Sequence, residues 1–277
     1  MTFSPPVALV TGASRGLGAA IATTLVSRGY RVALGGRDQD ALLEVAARLG
    51  EGATSAHTGD VTVAADRERL VDGALERWGS IDVLVNNAAV ATVGSIAGSS
   101  PDDLESVVAT NLTAPLLLTR AVLPGMVARG SGGIVNISST FGLAGSPYLA
   151  GYAATKAALR SVGWSLSLEL RGSGVHVTTA IPGPLRGDTM LDHLDASMVG
   201  ELPWMPSVTA TRAARRIVRA MERRRGEVVI APGGRAGTAS RRLSETAVRL
   251  LGVTRSLEAR AQARPHALTQ PSGGDHP

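Results

Sequence analysis

Two alternating patterns constrain this chain more than any other feature. Short runs of β-branched and aliphatic residues take turns with longer stretches of helical periodicity. The first pattern predicts strands over Val7–Val10, Arg31–Gly35, Ala53–Thr58, Asp82–Val85, Gly133–Ser138, Val175–Ala180 and Glu227–Ile230. The second predicts helices between them, over Leu17–Arg28, Gln39–Leu49, Ala64–Trp78, Asp102–Arg129, Tyr152–Leu170 and Thr209–Arg224. Several strands are continuous apolar runs, as expected where a sheet is buried on both faces. Regular alternation of such strands with helices predicts an α/β architecture. It is a doubly wound parallel sheet of about seven strands with helices on both faces.

Composition narrows the chemistry. The chain has 277 residues, enough for one large domain. Hydrophobic residues make up 44% but aromatics only 3%, so the core must be mainly Ala, Val, Leu and Ile. There is no cysteine, which excludes disulfides, a thiolate nucleophile and cysteine-based zinc sites. The histidines (His57, His176, His193, His266, His276) show no paired spacing of metal ligands. No apolar run is expected to span a membrane, and Met1 leads to the apolar segment at Val7 without a basic leader. A cytoplasmic location is therefore expected.

The first predicted strand ends in Thr11-Gly12-Ala13-Ser14-Arg15-Gly16-Leu17-Gly18. Glycines between a strand and a helix permit a tight turn and close approach of backbone N–H groups to a pyrophosphate. The helix N-terminus adds favourable potential for the phosphates. The second strand ends Leu34-Gly35-Gly36-Arg37-Asp38. An acidic side chain there would take a ribose 2′-hydroxyl, and an arginine a 2′-phosphate. Arg37, with Arg15 in the glycine loop, favours NADP(H) over NAD(H), whereas an inward-turned Asp38 would favour NAD(H).

The chain has 28 Lys+Arg, of which a single one, Lys156, is lysine. It follows Tyr152 by four residues, which stacks the two side chains on one helical face. An ammonium beside a phenol favours the phenolate. Arginine, planar and permanently charged, could not replace a compact charge that also relays protons. Asn111 lies in a predicted helix four residues before Pro115. Proline has no N–H, so the Asn111 carbonyl loses its helical partner and can hold a water; an ordinary proline kink is the other reading.

Ser139 precedes Tyr152 by 13 residues. Together with the glycine loop, Asn86-Asn87-Ala88-Ala89, Asn111 and Lys156, the chain over about Val7 to Ile230 resembles the short-chain dehydrogenase/reductase family, in its short single-domain branch. The resemblance implies a Rossmann-type fold and hydride transfer between a nicotinamide and a carbonyl or secondary alcohol. It implies Tyr152 as general acid/base, Ser139 on the substrate oxygen, Lys156 on the nicotinamide ribose, and Asn111 anchoring a water that leads to the lysine. Ser138, on the other side of its strand, is expected to act structurally. The cofactor-binding set implied is Gly12, Ser14, Arg15, Gly16, Leu17, Gly18, Arg37, Asp60, Val61, Asn87, Tyr152, Lys156, Pro182, Gly183 and Leu185. Two departures stand out. Ala89 occupies a place where the family commonly has glycine, and Gly187 one where it usually has threonine, which leaves Thr189 in question as a cofactor ligand.

The domain expectation is 1–232 for dinucleotide binding and catalysis, 233–264 for a basic helical extension and 265–277 for a disordered tail. Residues 185–206 fall where the family keeps its substrate lid. Leu191, Leu194, Met198, Leu202, Trp204 and Met205 there predict an apolar wall, for substrate or simply for packing on the body. The net charge is +5, but Arg212–Arg264 holds 14 Arg against four Glu, so this segment carries +10 and the remainder −5. Leu243, Ala247, Leu250 and Leu251 recur at helical spacing opposite Arg241, Arg242 and Arg249. Such a helix can lie on an anionic membrane; packing on its own domain or on a neighbouring subunit is the favoured reading. Arginines without interleaved aromatics disfavour nucleic acid. The resemblance implies a homo-oligomer, dimer or tetramer, built through helices containing Thr113–Arg129 and Tyr152–Leu170. The leading expectation is an NADPH-dependent reductase of an apolar carbonyl substrate. The alternatives are an NAD-dependent alcohol dehydrogenase and a dinucleotide-binding regulatory protein without turnover.

Overall fold

The computed structural model of the chain describes residues 4–145, 147–186 and 207–231. Its centre is a seven-stranded sheet of β1 (Val7–Thr11), β2 (Arg31–Gly36), β3 (Thr54–Thr58), β4 (Val83–Asn86), β5 (Gly132–Ile137), β6 (Val175–Pro182) and β9 (Glu227–Ile230). The spatial order is β3-β2-β1-β4-β5-β6-β9, and every neighbouring pair is parallel. The chain winds outward from β1 to β3, then crosses back to β4 on the other side of β1. That reversal opens a crevice at the carboxyl ends of β1 and β4, where such sheets bind ligands.

Alternate residues of each strand serve opposite faces. Val10, Leu34, Val85 and Val135 pack beneath α1 (Gly16–Val26), α2 (Gln39–Leu49) and α7 (Ala210–Glu222), against Ile21, Leu25, Leu42, Ile217 and Val218. Their neighbours Leu9, Ala33, Leu84 and Ile134 face α3 (Ala64–Trp78) and α5 (Ala114–Ala128), against Leu70, Val71, Leu118, Val122 and Met126. All of these side chains are buried. Burying a Val, Leu or Ile side chain contributes roughly 1.5–3 kcal/mol, so the two layers dominate the folding free energy.

Helix starts follow local chemistry. The Asp38 carboxylate accepts from Ala41 N at 3.1 Å and caps α2. Ser100 caps α4 (Pro101–Val108) through Asp103 N at 3.1 Å, with Pro101 in the first turn. Each cap supplies an acceptor to an N–H that has no partner inside the helix. The helix predicted over Asp102–Arg129 is instead three pieces: α4, a π-helical turn at Ala109–Thr113, and α5. Pro115 cannot donate to Asn111, and the Ala114 N–H reaches the Ala109 carbonyl, one residue further back than in an α-helix.

The remaining elements lie within a few residues of expectation. Two short strands, β7 (Leu185–Arg186) and β8 (Val208–Thr209), form a separate parallel pair. Two residues are too few to leave a periodic signal. By length and composition the continuous helical stretch Pro101–Ala128 is apolar enough to cross a membrane, contrary to the expectation that no run reaches that length. Its apolarity has a packing reason, because Val107, Leu118, Val122 and Met126 are buried within the body. The residues expected to form the lid beyond Arg186, Thr189 among them, lie outside the described residues, as do the extension around Leu243–Leu251 and the tail.

Candidate active site

The crevice is a cleft of about 420 Å³. Every expected cofactor residue lines it: Gly12, Ser14, Arg15, Gly16, Leu17 and Gly18 from the first turn, Arg37 after β2, Asp60 and Val61 after β3, Asn87 after β4, and Pro182, Gly183 and Leu185 after β6. Ser139, Tyr152 and Lys156 line it as well. Of the expected site residues only Asn111 does not.

The glycine loop is a cradle that side chains would fill. Gly12 has φ of 63°, in the left-handed region, and a Cβ there would stand 2.9 Å from Ala88 Cα. A Cβ at Gly18 would collide with the Gly12 carbonyl oxygen. The loop is tied to β4 from below. Thr11 Oγ1 accepts from Asn87 N and Ala88 N, each at 3.0 Å. Asn87 Nδ2 donates to the Thr11 and Gly12 carbonyls at 2.9 and 3.1 Å. Ala89 has no positive φ, so glycine is not required where the family commonly places it.

The ends of β1, β2 and β3 carry the exposed charges of the cleft. Arg15 and Arg37 are both exposed. Arg37 stands 3.7 Å from Asp60 Oδ2, a contact between side chains that are 67% and 34% exposed and therefore worth little. Asp60 Oδ1 accepts from Thr62 N and Thr62 Oγ1, both at 2.8 Å. Asp38 caps α2 through Oδ1 and also lines the cleft, beside Arg37.

At the other end, α6 (Ala150–Glu169) brings Tyr152 and Lys156 beside the end of β5. Lys156 Nζ lies 5.6 Å from the centroid of the Tyr152 ring and donates to the Ile137 carbonyl at 2.9 Å. The lysine is 2% exposed, and burial pulls its pKa from 10.5 down to about 8. Burial pushes the Tyr152 phenol above its usual 10, opposed by a hydrogen bond with the Ser139 side chain. Desolvation sets the direction, and the lowering influence on the phenol comes from Ser139 and not from the neighbouring ammonium. In this state the phenol keeps its proton, which suits it to give one away.

Asn111 is fully buried, and its carboxamide holds structure. Its Oδ1 accepts from Val90 N at 2.8 Å, and its Nδ2 donates to the Val90 carbonyl at 2.8 Å and to Thr155 Oγ1 at 3.2 Å. What remains for chemistry is its main-chain carbonyl in the π turn. Val90, Ala91, Phe141, Leu149 and Pro184 also line the cleft and were not anticipated. Apolar residues between the main elements leave no motif, and only their place in space identifies them.

A family model described as short chain dehydrogenase matches residues 6–197. The chain is 40% identical over 177 residues to a 3-alpha-(or 20-beta)-hydroxysteroid dehydrogenase of Mycobacterium tuberculosis, covering 64% of this chain and 68% of the relative. It is 40% identical over 185 residues to an NADP-dependent 3-hydroxy acid dehydrogenase of Salmonella typhi, covering 65% and 73%. A crystal structure of a 3-ketoacyl-(acyl-carrier-protein) reductase from Brucella melitensis complexed with NADH superposes with a TM-score of 0.73 at 26% identity, covering 81% of this chain and 95% of that one.

Proposed function

The chain belongs to the short chain dehydrogenase family of oxidoreductases, and from that premise we propose that it reduces an apolar carbonyl compound with NADPH. One observation carries this reading: a single cleft runs from the glycine cradle to the point where Ser139, Tyr152 and Lys156 meet. The dinucleotide, when bound, supplies the hydride. The glycine loop from Gly12 to Gly18 holds its pyrophosphate, Asp60 and Val61 flank the adenine, and Asn87 and Lys156 serve the ribose. Pro182, Gly183 and Leu185 border the nicotinamide.

The chain's own groups handle the proton. The Tyr152 phenol protonates the substrate oxygen, and the Ser139 hydroxyl donates a hydrogen bond to the charge that develops there. Lys156 favours the phenolate left behind. The Asn111 carbonyl, lacking an N–H at residue 115, holds the water that returns a proton through the lysine.

Arg15 and Arg37, both lining the cleft, support the phosphorylated dinucleotide. The apolar substrate is supported by the wall formed by Val90, Ala91, Phe141, Leu149 and Pro184, while the cleft's exposed charges cluster at the ends of β1 to β3. Exposed Leu116, Leu117 and Val127 on α5 and Trp164 and Leu168 on α6 support a homo-oligomer through these helices. The weak Arg37–Asp60 pair favours a second reading, an NAD-dependent alcohol dehydrogenase, because it partly neutralises the cation that selects the 2′-phosphate.

Titration with NADPH and NADH, followed by quenching of tryptophan fluorescence, separates the two. The first reading expects NADPH to bind at least about tenfold tighter, a difference of about 1.4 kcal/mol that is lost in Arg37→Ala. Equal or tighter binding of NADH overturns it in favour of alcohol oxidation. Binding of neither overturns the oxidoreductase reading of the site.

A further inference from the structure

Three consecutive residues at the end of β5 face α6 at three different points, and two of them bond it. The Ile137 carbonyl accepts from Lys156 Nζ at 2.9 Å. The Ser138 hydroxyl donates to the Lys156 main-chain carbonyl at 2.7 Å. The Ser139 side chain lies near enough to the Tyr152 phenol to lower its pKa. The middle contact differs from its neighbours. A carbonyl in a helix interior already has an N–H partner one turn ahead, so the Ser138 bond is not needed to satisfy it. It adds a tie between strand and helix, and it does so away from water, with Ser138 1% and Lys156 2% exposed.

The same turn is gripped from two other sides. A Cβ at Gly142 would stand 2.8 Å from the Lys156 carbonyl carbon and 2.9 Å from Ala157 N, so the loop after Ser139 rests directly on this backbone. Thr155 Oγ1 accepts from Asn111 Nδ2 at 3.2 Å and donates to the Tyr152 carbonyl at 2.8 Å. All of these contacts converge on the one helical turn that carries both the phenol and the ammonium. Ser138 and Ser139 are adjacent on the chain, so a shift of Lys156 against Ser138 also shifts Tyr152 against Ser139.

We propose that Ser138 is a positioning residue for the reaction: its hydroxyl seats α6 on β5 and thereby sets the separations among the Ser139 hydroxyl, the Tyr152 phenol and the Lys156 ammonium. The proposal rests on reading those three groups as the reacting set. Catalysis is sensitive to displacements of about 1 Å, which a single lost tie of this kind can produce.

Lys156 is the chain's only lysine, so protein grown with ¹³Cε-lysine shows one side-chain resonance, and its pH titration needs neither cofactor nor substrate. The wild type is expected to titrate near pH 8. Loss of the tie in Ser138→Ala admits water to the ammonium and raises the midpoint by about half a pH unit or more. Ser138→Thr, which keeps the hydroxyl, restores it. In turnover, Ser138→Ala lowers kcat about tenfold with the dinucleotide Kd unchanged, and its pH–rate midpoint moves with the resonance. An unchanged midpoint and kcat with only a lower Tm overturns the proposal, and so does a Ser138→Thr protein that titrates like Ser138→Ala. If Ser138→Ala does not fold, Ser138→Cys, of similar size but a weak donor, is read in the same way. A wild type that turns over no carbonyl compound defeats the functional reading, while the lysine titration still decides this one.

Discussion

At the scale of single residues, burial controls the chemistry of the site. Tyr152 and Lys156 are both buried, and desolvation drives their pKa values apart, the phenol up and the ammonium down. Tyr152→Phe is expected to lower kcat for carbonyl reduction by about 10²–10⁴-fold, the usual range for general acid–base catalysis, a loss far larger than any change in the dinucleotide Kd from fluorescence. Lys156 predicts a pH effect of definite sign. Its pKa falls from 10.5 in the unfolded chain to about 8 in the fold, so between those values the unfolded state binds more protons and stability rises with pH. Below pH 8 the full cost of burying the charge, on the order of 3 kcal/mol, is present. Lys156→Met is therefore expected to melt above the wild type at pH 7, with the gap closing as pH rises from about 8 to above 10.5. Calorimetric scans at several pH values check this, and equal Tm values at pH 7 would contradict it. Reduction by the wild type is expected to slow above about pH 8, where the lysine loses its charge.

At the scale of elements, strand and helix periods were legible because each is a local pattern repeated several times over. The helix predicted over Asp102–Arg129 illustrates the limit. Its apolar period is continuous, yet Pro115 breaks it into α4, a π turn and α5. Pro115 announces a missing donor, but whether the chain answers with a kink or a π turn depends on contacts, here the Asn111 carboxamide on both Val90 main-chain groups and on Thr155. Close approach of elements also hides in plain residues. Gly163 of α6 lies over β6 so tightly that a Cβ would strike Thr179 Oγ1. Gly163→Ala is expected to destabilise by about 1–3 kcal/mol, the usual cost of overpacking, despite alanine's better helix propensity. Urea unfolding reads the sign, and a stabilised variant would mean that α6 moves away at little cost.

At the scale of the whole molecule, the outer faces of α5 and α6 leave Leu116 at 41%, Trp164 at 53% and Leu168 at 58% exposure, more apolar surface than isolated side chains require. Leu168→Glu combined with Leu116→Glu is expected to reduce the assembly to monomers in analytical ultracentrifugation, with helix content retained. A wild type that sediments as a monomer would refute an oligomer built through these faces. The amino-acid sequence by itself determined the layered α/β plan, the succession of elements, and the glycine loop and Ser139, Tyr152 and Lys156 that line the cleft, since periodicity, glycine spacing and the Tyr152–Lys156 interval are properties of short segments. Only the tertiary structure decided that the Asn111 side chain clamps a loop, that Asp38 caps a helix, and that Ser138 reaches the backbone of Lys156. It also decided that desolvation raises the tyrosine's pKa and that Ser139 opposes it. These outcomes depend on which groups share a water-free space once distant segments pack together, and no local pattern encodes that.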